Sequence, residues 1–185
     1  MKVWDKTTAI YSGLQELSLQ RYMGAMWMLG AELVSLYADE MPESERSLAV
    51  ATLAVARDVS ISGDVERFEQ QATRLANDWQ RVIDEATRGS GGLARTCITL
   101  KSVAAEIAGL AAAYHAAEWV ADAGVMRWHV PTGKGFRHVD PKEEVAEDSP
   151  IAQTLTRFGR IVDGVAGAPD WNGDLELLRR RILAN

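Results

Sequence analysis

Apolar residues recur along most of this chain at steps of three and four, the period of an α-helix with one buried face. The clearest run is Val65, Phe68, Ala72, Leu75, Trp79, Val82 and Ala86, which predicts a helix starting near Asp64. Its narrow seam is the form used between long helices that lie side by side. A second run, Leu100, Val103, Ile107, Leu110, Tyr114, Ala117 and Ala121, predicts a helix from about Leu93 to Ala123. Ala104, Ala108 and Ala111 form a strip beside it where a neighbour can come near. Earlier in the chain, Ile10, Leu14, Leu17, Met26, Leu29, Leu33 and Leu36 predict one long helix from about Thr7 to Ala38. Met23, Met26, Met28 and Trp27 on it read as packing material, and Gly13, Gly24 and Gly30 as points of close helix approach. Pro42 opens the next helix, to about Val59, with Leu48, Ala51, Thr52 and Val55 inward.

Glycine and proline punctuate these elements. Gly89-Ser90-Gly91-Gly92 follows a helix and lacks the spaced glycines of a dinucleotide fingerprint, so it reads as a flexible turn. After Gly124 the rhythm changes. Val125–Val130 and Phe136–Val139 are short and rich in β-branched and aromatic residues around Pro131–Gly135, which predicts a small hairpin or ordered loop. Asp140-Pro141-Lys142-Glu143 carries a helix-start signature, and Ser149-Pro150 repeats the device before Ile151, Leu155, Phe158, Val162 and Val165. A last helix, from about Asp174 to Leu183, ends in Arg179-Arg180-Arg181, which suits the negative end of its dipole. The expected architecture is all-α: a single-domain bundle of five to seven helices over 1–185, with an irregular or hairpin insert near 125–140.

Composition narrows the function classes. A chain of 185 residues, 47% hydrophobic and 25% charged, can bury a full core without covalent staples. Cys97 is its one cysteine, which excludes an intrachain disulfide and suits a reducing cytoplasm. The N-terminus lacks the apolar stretch and cleavage site of a secretory signal. Leu19–Ala38 is apolar, but Arg21 and Glu32 interrupt it, so a buried helix is expected rather than a membrane span. A net charge of −6 argues against duplex nucleic acid as a partner. The acid gathers at two turns, Asp39, Glu40, Glu43 and Glu45, then Asp140, Glu143, Glu144, Glu147 and Asp148. Such turns are usually solvated faces, and they can also steer a basic protein partner.

Candidate chemistry concentrates near the insert. His115, Glu118 and Asp122 share one helical face, and with His129 and His138 they form a candidate site for a divalent metal such as zinc. No zinc-protease spacing accompanies them, and polar residues at a helix end are the plainer reading. Lys134 and Arg137 among Gly133 and Gly135 form a candidate anion site, although the pattern is not a Walker loop. Cys97 lacks a nearby histidine and reads as a small buried side chain. Trp119, Trp128, Trp171 and Phe136 either seal the bundle or line a pocket for a flat ligand.

Three function classes follow. The first is an acidic cytoplasmic module that binds a protein partner, by analogy of size and charge with immunity proteins that neutralise bacterial toxins; no motif carries that analogy. The second is a metal-dependent, hydrolase-like enzyme using His115, Glu118, His129 and His138. The third is a helical bundle that binds a small molecule.

Overall fold

The computed structural model describes residues 1–85, 91–110, 116–126, 129–132, 135–140, 142–169, 171 and 174–184, with the backbone alone at 126, 129–132 and 135–138. Among them the order is α1 (Val3–Gln15), α2 (Leu19–Leu36), α3 (Glu43–Ser62), a 3-10 turn at Glu66–Phe68, α4 (Glu69–Glu85), α5 (Gly91–Ile107) and α6 (Ala116–Met126). The antiparallel strands β1 (His129–Thr132) and β2 (Gly135–His138) follow, then α7 (Pro150–Ala166) and α8 (Leu175–Ala184). The protein is an all-α bundle carrying one small hairpin. No described helix is long and apolar enough to cross a membrane.

There are eight described helices rather than five to seven, because two long stripes are each divided. The stripe from Ile10 to Leu36 lapses after Leu17, and the break falls at Glu16–Ser18. Ser18 is extended (φ −62°, ψ 157°), and its carbonyl accepts the Tyr22 N–H to begin α2. The stripe from Leu100 onward is cut at Gly109, whose φ of +67° lies in the left-handed region. The N–H of Leu110 reaches the carbonyl of Ala105 at 2.8 Å and that of Gly109 reaches Glu106 at 3.2 Å, the paired bonds that close a helix on glycine. Leu110, expected inward, is therefore exposed. Glu106 then accepts the Ala116 N–H at 2.8 Å and holds the first turn of α6.

Asp140–Glu143 does not start a helix. The Asp140 carboxylate accepts the Lys142 N–H at 2.8 Å and its carbonyl accepts the Glu143 N–H at 2.8 Å, one turn and no more. The backbone beyond is claimed by the N-terminus: Val3 N–H meets the Glu143 carbonyl at 3.2 Å and Val145 N–H meets the Met1 carbonyl at 2.9 Å. Ser149-Pro150 does start one, with the Ser149 hydroxyl accepting the Ala152 N–H at 3.3 Å. The glycine run also differs from expectation. Gly91 and Gly92 are helical, and a Cβ on Gly92 would lie 1.9 Å from the Tyr37 hydroxyl oxygen. Gly92 is glycine because the buried Tyr37 ring lies against it; Gly89 and Ser90 are outside the described residues.

Buried side chains from all eight helices join one continuous cluster. Its centre includes Met23, Met26, Met28 and Trp27 from α2, which places that sulfur-rich face in the core. α2 packs most extensively against α3, and α5 against α4 and α6, while α1 lies on α7 and α6. A buried bond from the Trp79 indole N–H to the Thr52 hydroxyl at 2.8 Å ties α4 to α3.

Candidate functional site

The most concentrated polar chemistry in the described protein lies where α2, α7 and α8 meet. Glu32 stands on α2 among apolar neighbours, 7% exposed. A carboxylate that deep needs partners. α7 supplies one: its apolar face, Ile151, Leu155, Phe158, Val162 and Val165, turns inward and leaves Thr154, Arg157 and Arg160 outside it. Arg157 Nε lies 2.7 Å from Glu32 Oε2. α8 supplies the other: Arg179 Nη2 donates to Glu32 Oε1 at 2.7 Å. The Arg179 guanidinium also sits 5.9 Å from the centre of the Trp27 ring, and its buried Nε–H has no hydrogen-bond partner among the described residues.

A cleft of about 550 Å³ opens beside this triad. Its lining includes Glu32, Arg157 and Arg160, the hydroxyl-bearing residues Ser35, Thr154 and Thr156, and the apolar residues Leu36 and Leu183. Glu147 lines it as well. Neither the Arg160 nor the Glu147 side chain makes an ion pair or hydrogen bond among the described residues.

The acidic turns relate to this cleft unequally. Leu36, at the end of α2, hands the chain to Asp39 and Glu40, both exposed. Glu43 is exposed in the first turn of α3, 3.8 Å from Arg46. Glu45 is half-buried near Cys97 and lines a different hollow with Leu93. Glu144 is exposed and bridges Lys2 through the backbone, while Glu143 is half-buried in the same pairing. Of the residues in the two acidic turns, Glu147 lines this cleft, and Asp39 follows the lining residue Leu36 by three positions in the chain.

The metal candidates are placed only in part. His115 lies outside the described residues. His129 and His138 are direct partners across the β1–β2 ladder, described at the backbone. Glu118 is exposed on α6, one turn from Asp122, whose carboxylate lies 3.6 Å from Arg95. Burial pushes the Asp122 carboxyl above its ordinary range; Arg95 opposes that and Glu118 adds to it. Among the described residues no group of three His, Cys, Asp or Glu could hold a metal ion. Of the anion candidates, Lys134 is outside the described residues and Arg137 pairs with Val130 in the ladder.

Cys97 is buried, and burial first, then Glu45, pushes its thiol up to about 12. It is a core side chain. Trp171 fills the space above Gly24, donates its N–H to the Ser60 carbonyl at 3.1 Å and lies 5.6 Å from the Arg21 guanidinium. Trp119 stacks elsewhere, 3.9 Å from the Arg95 guanidinium. The two stand against different neighbours; Trp128 is outside the described residues and Phe136 is described at the backbone.

Sequence reasoning missed the Glu32–Arg157–Arg179 triad. The legible signal was Glu32 itself, an acid inside an apolar helix; nothing in the spacing pointed to arginines more than a hundred residues later. Comparison with protein-family models, curated proteins and solved structures finds no match, so any functional argument rests on this chain's own residues.

Proposed function

We propose that this protein is an acidic binding module that covers a basic protein partner, in the manner of a toxin-neutralising immunity protein, and works in the cytoplasm, where Cys97 stays reduced. The observation that carries this reading is the placement of Glu147 on the cleft that Leu36 also lines, three residues before Asp39. Asp39, Glu40, Glu43, Glu144 and Glu147 are exposed, so their field reaches solvent, with Glu43 softened by Arg46. Exposed charges of one sign steer encounter with an oppositely charged surface and fix its register more than they add affinity. Glu45 and Glu143, being half-buried, contribute less.

The test is capture of partners by the full chain at about 0.05 M and about 0.5 M salt, where the screening length falls several-fold. A basic protein retained at low salt and released at high salt is expected. The triple variant D39K/E40K/E147K is expected not to retain it even at low salt. Retention that ignores salt and survives the triple variant removes the reading, as does failure to retain any basic protein.

A further inference from the structure

The charges around Glu32 do not balance. One carboxylate receives two guanidiniums, Arg157 on Oε2 and Arg179 on Oε1, which leaves one positive charge over. Arg160, three residues beyond Arg157 on α7, adds a second on the same cleft and has no partner among the described residues. Glu147 is the one further carboxylate among the lining residues. Arg157 is half in solvent and Arg160 is exposed, so this surplus positive charge is open to an anion arriving from solvent.

We propose that this cleft is a binding site for a small organic anion, a carboxylate or a phosphate ester, held by Arg157 and Arg160. Arg157 meets Glu32 through Nε, and its side chain is 53% exposed, so its terminal amino groups remain for the cleft. Guanidinium forks match the planar or tetrahedral oxygens of such groups, which lysine does only as a point charge. Glu32 acts here as a positioning residue: it holds Arg157 in place without touching the ligand. Ser35, Thr154 and Thr156 offer hydroxyls for the ligand's remaining polar groups, and Leu36, Pro150 and Leu183 offer apolar surface for its carbon skeleton. The volume, about 550 Å³, falls in the range of small-molecule sites and is far larger than an inorganic ion needs. The organic part of the proposal rests on that size together with the mixed lining. The site shares Glu147 with the acidic docking surface, whose other residues lie outside the lining, and the proposal rests on the arginines rather than on that surface.

Isothermal titration calorimetry of the full chain with phenyl phosphate, benzoate and inorganic phosphate tests this. One or both organic probes are expected to saturate at one per chain. A preference for phenyl phosphate identifies the phosphate source of the anion and a preference for benzoate the carboxylate source. Arg160→Gln, which removes an exposed group with no side-chain partner among the described residues, is expected to weaken binding about tenfold while leaving the melting temperature unchanged. Glu147→Gln removes the opposing charge and is expected to tighten binding about threefold. Refusal of both organic probes by the wild-type chain overturns the proposal, whether or not inorganic phosphate binds. Equal affinity of wild type and Arg160→Gln overturns it too.

Discussion

Glu32 shows how a single residue can hold two distant segments together. Its oxygens are divided between α7 and α8, so removing the carboxylate leaves two guanidiniums facing each other beside the core. Glu32→Ala is therefore expected to cost roughly 3 kcal/mol, toward the low end for broken buried pairs because Arg157 is half in solvent; urea denaturation measures it. A loss below about 1 kcal/mol, the level of an exposed pair, would show that the triad is not structural. Cys97 gives a pH test. Its native thiol is held up to about 12, against an ordinary value of 9.0. Above pH 9 the unfolded thiol ionises while the native one does not, so this group's contribution to stability falls as pH rises from 9 toward 12. Native Cys97 should accordingly react slowly with iodoacetamide at pH 8 and rapidly once the chain is unfolded; rapid native labelling would contradict its burial.

At the scale of elements, two glycines end or begin helices for different reasons, and substitution separates them. Gly109 has a positive φ and nothing within 4 Å of where a Cβ would stand. Gly109→Ala pays only backbone strain, roughly 1–2 kcal/mol, and Gly109→Asn should recover part of it, since asparagine enters the left-handed region more readily. Gly92 has the opposite problem. A Cβ there meets the fully buried Tyr37, whose hydroxyl donates to the Ala123 carbonyl at 3.3 Å. Gly92→Ala should cost roughly 2–3 kcal/mol, with no recovery by asparagine. Equilibrium unfolding of the four variants checks both. The same contrast explains what could be read in advance. The apolar stripe predicts one helix running through Gly109, because it steps by three and four across that position and a stripe alone does not report helix ends. Gly92 looked like a turn because close approach by a ring is invisible in a list of residues.

At the scale of the whole molecule, buried residues of all eight helices share one cluster, which predicts cooperative loss of structure. Unfolding in urea followed by far-ultraviolet circular dichroism and by tryptophan fluorescence should give coincident curves, because Trp27 in α2, Trp79 in α4 and Trp171 between α7 and α8 report from different parts of the chain packed on that cluster. Curves that separate would mean that part of the bundle unfolds on its own. The cleft between α2, α7 and α8 is a product of this same assembly: its lining comes from residues 32–36, 147–160 and 183, which meet only when the bundle is closed.

The sequence by itself determined that the chain is helical, where most of its buried faces lie, that a short strand-like insert follows α6, and that Ser149 and Asp174 open the last two helices. Those features depend on interactions within a few residues: the helical repeat, the hydroxyl or carboxylate that caps a first turn, and the β-branched residues of a short ladder. Only the tertiary structure decided that Asp140–Glu143 would pair with the N-terminus instead of starting a helix, that Gly92 would lie against Tyr37, and that Glu32 would meet Arg157 and Arg179. Each of those outcomes joins segments some fifty to a hundred and fifty residues apart. Local propensity carries no information about which distant group will arrive, and a buried charge is answered by whatever the packing of the whole bundle brings within reach.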